Sequence, residues 1–547
     1  MTVAEERLHT SLAEYQARVL LTWRGHEKEL VFELARAIDE AAFAVTFPPP
    51  REPVPPGYST ILFGAATALR PLLPKLAHAP SGVPWFPTTA EWSRAADGHL
   101  MNCGRFANLL RLAALERYGL AEGTLTAPDR LLLEIENSNV EREDVEALHA
   151  LRELPHDPLN RIIPSSRKLL RRIDRFVDVD REYFIRYDAD DELIEYYHGV
   201  AAERAQRFLE GEALPPDARI GGRTFGEWLG AAIAASGRVL KHIAFSARLM
   251  ERHPRLNLRD LITIFVRDDD AAAVLRESGE PEEYHVALFA AMTLDERSAT
   301  DTTTDHEVPL PFYVDYGPDF ALLPCFGALL NPIAAMVRFL KMNYRHDWDK
   351  AVARREEVFR ADLRKIFPEP RFLVAPAGKQ LYRPDGTRLT DIDAIVLDRT
   401  FGSLALMQLK WHDLYGRSLK ERNSRRLNLL EANKWVQRVA GWVDGRSAAA
   451  IIPSIIEREP ASADRPPCLF VVTRYAAQFA RNDPYDLAAA WMGWADMVRA
   501  ALDHPETDIL SALFETFRGG RRTKAVPRET EAATYALPSL TVEVRAG

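Results

Sequence analysis

Three side chains in one short stretch of this 547-residue chain are of types that can do chemistry together: Asp393, Gln408 and Lys410. They lie in TDIDAIVLDRTFGSLALMQLKW, Thr390 to Trp411. The stretch reads as two short strands joined by a tight connection. Ile392, Ile395 and Val396 mark the first strand, the apolar run LALMQLKW the second, and the turn residues Gly402 and Ser403 lie between them. Side chains alternate along a strand, so Gln408 shares a face with Lys410, and Asp391 with Asp393. If the strands pair as a hairpin, acid, amide and amine converge on an otherwise apolar sheet. A charge there is costly unless it is paired or binds a metal.

Such a set suits metal-dependent cleavage of a phosphodiester, where a divalent cation stabilises developing charge and lowers the pKa of an attacking water. Magnesium takes oxygen ligands and keeps several waters, so one or two carboxylates and a carbonyl oxygen suffice. Asp393 would be the main ligand, Gln408 would offer its amide oxygen, and Asp391 could share the metal. Lys410 would orient the water and offset phosphate charge. The structural alternative for Asp393 and Lys410 is an ion pair between neighbouring strands.

The pattern resembles the PD-(D/E)XK, or restriction-endonuclease-like, nucleases, in which an acid on one strand precedes (D/E)-x-K on the next. Here Asp393 precedes Gln408-Leu409-Lys410, the Gln-x-Lys variant associated with Mrr-type restriction endonucleases. The glutamine departs from the usual acid and removes one negative ligand. The resemblance covers roughly the last third of the chain. It implies an α/β domain with an αβββαβα core around a central mixed sheet, and Mg2+ or Mn2+ as cofactor. It also implies activity on nucleic acid, DNA before RNA, in bacterial defence or DNA processing, and a homodimer able to cut both strands.

The elements that must position these residues can be read in order. Asp349 to Phe367 reads as a helix with Val352, Phe359, Leu363 and Ile366 on one stripe. Glu356 falls on that stripe, whereas Glu357 points with Arg360 and Arg364 towards water. Family members often carry a further acid on this helix, so Glu356 is similar to that residue and joins Asp393, Gln408 and Asp391 as a metal ligand. Pro368 and Pro370 stop the helix. RFLVAPAGKQLY reads as a strand with its turn, Glu421 to Val443 as a helix, CLFVVT from Cys468 as a strand, and Asp486 to Leu502 as a helix. Family members use the helix after Lys410 to touch the phosphate backbone, which makes Arg425, Arg426, Lys434 and Gln437 candidate nucleic-acid contacts.

The whole chain bears a formal net charge of −9, so a nuclease must concentrate its positive charge locally. Arg417 to Arg426, Arg167 to Arg175 and Arg518 to Arg528 are the basic runs, each also compatible with plain solvated surface. Three scattered cysteines argue against a disulfide framework or structural zinc and for a reducing, cytoplasmic setting. The first residues carry acids where a signal peptide would be basic and apolar. Phe320 to Leu340 is apolar but broken by Pro324, Gly327 and Pro332, which suits core rather than a membrane span.

Length implies more than one domain. Residues 1–345 read as a mainly helical recognition or regulatory region, with a sub-boundary near 295–310, and 346–547 as the nuclease-like domain. Arg94 and His99 match the Arg-x4-His spacing of HEPN ribonucleases, although Gly98 weakens a helix there. The acidic clusters near Asp180 and at Asp188 to Glu192 lack an EF-hand's glycine and final glutamate. No Walker A loop, GxGxxG, GxSxG or HExxH occurs, so any ATP-driven step needs a separate ATPase or sensor protein. The rival function is a catalytically degenerate scaffold that binds with a partner, which Gln408 in place of an acid favours.

Overall fold

Phe359 and Leu363 lie four residues apart, one helical turn, and in the computed structural model of the protein they form the buried stripe of helix α1 (Arg355–Ile366). The structure describes residues 1–47, 56–84, 86–135, 162–180, 184–277, 279–300, 310–411, 419–456, 465–474, 485–503, 506–520 and 531–546. Two compact units divide it. One takes Met1–Ile135, His156–Trp348 and Thr530–Gly547; the other takes Asp349–Glu529.

In the second unit the helix expected from Asp349 to Phe367 is broken. One helix covers Arg345–Ala353 and α1 starts at Arg355. The break at Arg354 resets the phase. Arg355, 4% exposed, takes the inward position and Glu356 keeps 59% of its side chain exposed, so Glu356 is not on the buried stripe. The chain continues through β1 (Phe372–Val374), β2 (Lys379–Tyr382), β3 (Arg388–Ile392), β4 (Ala394–Asp398) and β5 (Ser403–Lys410). Helices α2 (Leu419–Val443) and α3 (Ala448–Ile455) follow, then β6 (Cys468–Thr473), β7 (Ala489–Gly493), α4 (Trp494–Asp503) and α5 (Ile509–Phe517). RFLVAPAGKQLY is thus divided between two strands, and the helix expected from Asp486 begins only at Trp494. AAWMG is instead a strand, because a short, fully buried apolar run satisfies either pattern until a neighbouring strand claims its backbone.

The main sheet runs β1-β4-β5-β6-β7. β1 with β4 and β4 with β5 are antiparallel; β5 with β6 and β6 with β7 are parallel. Strands covered on both faces read as continuous apolar runs, and β5 is buried from Ser403 to Leu409. Ile395, Leu397, Leu404 and Leu406 pack with Leu429, Trp435 and Val436 of α2. Ala394, Val396, Ala405 and Met407 pack on the other face with Phe359 and Leu363 of α1 and with α5. Each fully buried branched side chain in these layers contributes about 1.5–3 kcal/mol.

The turn between β4 and β5 is set by two residues. Gly402 adopts φ 70°, which glycine tolerates without steric cost, and Asp398 gathers its donors. Its buried carboxylate accepts from Arg371 Nη2 at 2.7 Å and from the Thr400 amide at 2.9 Å. β2 and β3 form a separate two-stranded ribbon, with Gln380 opposite Asp391, and the ribbon leads directly into β4. Trp435 of α2 holds its base by donating Nε1–H to the Asp391 carbonyl at 2.5 Å.

Helices dominate the first unit, but two four-stranded sheets run through it, so a mainly helical description is incomplete. The helices Pro56–Leu69 and Ala90–Ala114 touch through Gly64 and Gly104, where a Cβ on Gly104 would lie 2.0 Å from the Thr60 carbonyl. One sheet joins the hairpin Ala121–Ala127 and Arg130–Ile135 to Leu540–Ala546, which runs parallel to Arg130–Ile135, and then to Glu531–Leu537. The other comprises Ile264–Arg267, Phe320–Leu323, Tyr313–Asp315 and Thr293–Leu294. A buried ionic network ties its helices: Arg36 lies 3.3 Å from Glu33, and Arg259 bonds Glu33 at 3.2 Å and also Glu40 and Asp97. No helix among the described residues is long and apolar enough to cross a membrane.

Candidate metal site

Asp393 occupies the bend between β3 and β4 and belongs to neither strand. Its amide donates to the Met407 carbonyl at 3.0 Å, and its own carbonyl accepts from Arg360 Nη1 at 3.0 Å. The residue is 4% exposed. Its Oδ2 accepts from the Leu409 amide at 2.8 Å and from Gln408 Nε2. Burial pushes the carboxyl up to about 6, and the negative charge of Glu356 adds to that rise. The bonds from Leu409 and Gln408 and the charge of Lys410 pull the other way without cancelling it.

The hairpin brings Gln408 and Lys410 to this carboxylate. Ala394 pairs with Met407, so Asp393 comes level with Gln408 and the two side chains bond on one face of the sheet. Lys410 ends β5 in parallel register with Thr473, and its carbonyl accepts from the Arg474 amide at 2.8 Å. Its ammonium acts on Asp393 through its charge rather than through a direct ion pair. Glu356 reaches the same locality from α1, on the far side of the sheet from α2.

Asp391 differs from expectation. The alternation that places it beside Asp393 assumes one continuous strand, whereas the chain passes from ribbon to sheet between them. Its half-exposed carboxylate pairs with Arg388 at 3.3 Å. Among the described residues no group of three or more His, Cys, Asp or Glu side chains is placed to hold a metal, so Asp391 does not complete a set with Asp393 and Glu356. Asp393 and Glu356 remain, with Asp393 Oδ1 outside the bonds that Oδ2 accepts. That set fits a hard cation held by one or two carboxylates and otherwise by water. Gln408 turns its amide nitrogen to Asp393, which leaves the amide oxygen as its ligating atom.

Of the proposed nucleic-acid contacts, Lys434 and Gln437 lie exposed on α2, with Lys434 bonded to Glu431 at 2.5 Å. The side chains of Arg425 and Arg426 lie outside the described residues, as do His412 and Asp413 beside Lys410. The basic run Arg167 to Arg175 meets the acidic cluster instead: Arg172 pairs with Asp190 and Glu192, and Lys168 with Glu192. Arg94 and His99 do share a helix, but His99 is buried against the Tyr15 hydroxyl at 3.1 Å while Arg94 is exposed and donates to the Ala90 carbonyl. Five residues apart, they face different ways. One residue of the site carries no sequence signal of its own: Arg360 turns to Asp393 rather than to water. Only the register of helix against strand singles it out.

Compared with family models, with characterised proteins and with solved structures, the chain finds no match in any of the three.

Proposed function

We propose that the Asp349–Glu529 unit is a metal-dependent nuclease of the PD-(D/E)XK type, cleaving phosphodiester bonds, DNA before RNA. The observation that carries this reading is Asp393 just before β4, bonded across to Gln408 with Lys410 two residues further along β5. The sheet supports it, since α1, the strands β1, β4 and β5, the helices α2 and α3 and then β6 follow one another in the order of the αβββαβα core, with antiparallel and parallel neighbours in one mixed sheet. The raised pKa of Asp393 supports it too, because a buried acid facing a second acid gains most from a cation.

In this reading Asp393 and Glu356 hold the metal, with the amide oxygen of Gln408. The metal supplies Lewis-acid stabilisation of the phosphoryl oxygens and a lowered pKa for a bound water. Asp393 is oriented through Oδ2 by Leu409 and Gln408. Lys410 places a positive charge beside the incoming phosphate, and exposed Lys434 and Gln437 line its approach along α2. Pairing of two copies to cut both strands, and control by a separate ATPase or sensor, belong to the same proposal. The first unit would then recognise a target or a signal.

A second reading, a binding scaffold with a degenerate site, draws on one observation: Asp393 already satisfies two donors and, among the described residues, only one further acid reaches it. Cleavage of plasmid and single-stranded DNA with Mg2+ or Mn2+ separates the two. Wild type should cut, EDTA should stop it, and Asp393→Ala and Lys410→Ala should each lose the activity. Cutting that survives both substitutions sinks the assignment, and a folded wild type that binds DNA without cutting it favours the scaffold.

A further inference from the structure

The chain turns Arg360 inward beside two acids, and its position is more specific than an ion pair needs. The residue follows Glu356 by one helical turn, with Nη1 3.8 Å from Glu356 Oε2 and 3.0 Å from the Asp393 carbonyl. Its side chain is only 13% exposed, and its Nε is buried with no hydrogen-bond partner among the described residues. Burying a guanidinium is unfavourable unless its donors are used, so a role confined to packing on α1 would be served better by an apolar residue.

The carbonyl that Arg360 takes lies where the ladder lapses, at the bend between β3 and β4. The Asp393 amide still reaches the Met407 carbonyl, but among the described residues no backbone N–H reaches the Asp393 carbonyl, and this residue carries the carboxylate on which the site depends. From the other layer of the fold, Arg360 supplies the donor that the ladder does not. The same guanidinium attracts the carboxylate of Glu356, which otherwise stands mostly in solvent. A planar fork can bond a carbonyl and face a carboxylate together, whereas a lysine offers one point charge.

We infer that Arg360 is a positioning residue for the metal: it fixes the main chain at Asp393 and draws Glu356 to the same place, so that two carboxylates rather than one face the cation. This rests on the metal-site reading above. It makes good the ligand that Gln408 cannot supply as a charge. The sign of its effect is diagnostic. A bystander guanidinium beside a cation site repels the cation, so its removal would tighten binding; a positioning guanidinium weakens binding when removed.

The test is Mn2+ affinity of the full chain, measured by calorimetry without nucleic acid, with circular dichroism to show that each variant is folded. Arg360→Met should weaken Mn2+ binding roughly 10–100-fold, the range for residues that orient metal ligands, and Arg360→Lys should recover part of the loss. Glu356→Gln should weaken binding too, and the double variant Arg360→Met with Glu356→Gln should lose less than the product of the two single losses, because part of what Arg360 does acts through Glu356. Tighter or unchanged binding by Arg360→Met overturns the inference, as do losses that multiply in the double variant. If wild type binds no Mn2+, or Asp393→Asn binds as well as wild type, the metal-site reading falls and the inference falls with it. Binding lost in Asp393→Asn but untouched in Arg360→Met removes the inference alone.

Discussion

Replacing Asp393 by Asn should make the metal-free chain more stable, although it removes the residue on which the site depends. Asn has the shape of the protonated acid and can still accept from Gln408 and Leu409. The wild-type carboxyl titrates near 3.8 when unfolded and is raised to about 6 when folded. The folded state therefore holds a proton that the unfolded state has released, and wild-type stability falls as pH rises from 3.8 through 6. Above pH 6 the loss is complete and amounts to about 3 kcal/mol, since each tenfold change in proton affinity is worth about 1.36 kcal/mol. The substitution should recover up to that amount at pH 8, roughly half of it at pH 5, and nearly none at pH 3.5. For a unit of this size each kcal/mol moves the melting temperature by roughly 2–4 °C, so the gain at pH 8 is about 6–12 °C at most. Melting curves in EDTA at pH 8 and pH 5 measure it. A variant that melts lower than wild type at pH 8, or whose advantage does not change with pH, would refute the account of Asp393 as a buried, penalised anion.

Three further outcomes follow from the same geometry. Gln408→Glu should put a second carboxylate beside the buried Asp393 and destabilise the metal-free chain at pH 8 by roughly 1–3 kcal/mol, with Mn2+ restoring part of the loss in parallel melts. Asp398→Ala should cost roughly 3 kcal/mol in urea denaturation, because Arg371 and the amides of Thr400 and Phe401 lose their shared acceptor. The buried imidazoles of His99 and His242 are each lowered to about 4 from 6.5, mainly by burial. Each gives stability that is present above pH 6.5 and lost as pH falls towards 4, up to roughly 3 kcal/mol apiece. His99→Gln and His242→Gln should flatten the acid limb of a stability-against-pH curve, and a limb of unchanged slope would contradict that.

How much of this was legible depended on how local the cause was. The β4–β5 hairpin could be read because Ile395 and Val396, the apolar run to Lys410 and the left-handed Gly402 all act within a few residues. Gln408 and Lys410 could be placed on one face for the same reason. Alternation misplaces Asp391 because it carries only as far as the strand does, and the strand lapses at Asp393. Helical periodicity misplaces Glu356 because of the break at Arg354, which no residue in DKAVARREEVF announces. Nothing in the sequence marks Arg360, since a long cation four residues from an acid normally belongs to a solvated face. The pairing of Arg130–Ile135 with Leu540–Ala546 lies beyond any periodicity, since its partners are separated by most of the chain.

That last pairing also has a consequence in time. Ile135 is made about 400 residues before Leu540, and at 5–20 residues per second the interval is roughly 20–80 s. During it the hairpin Ala121–Ile135 waits with one strand edge open, while most of Asp349–Glu529 emerges and can begin to fold. The later unit can therefore be largely assembled before the earlier one closes this sheet.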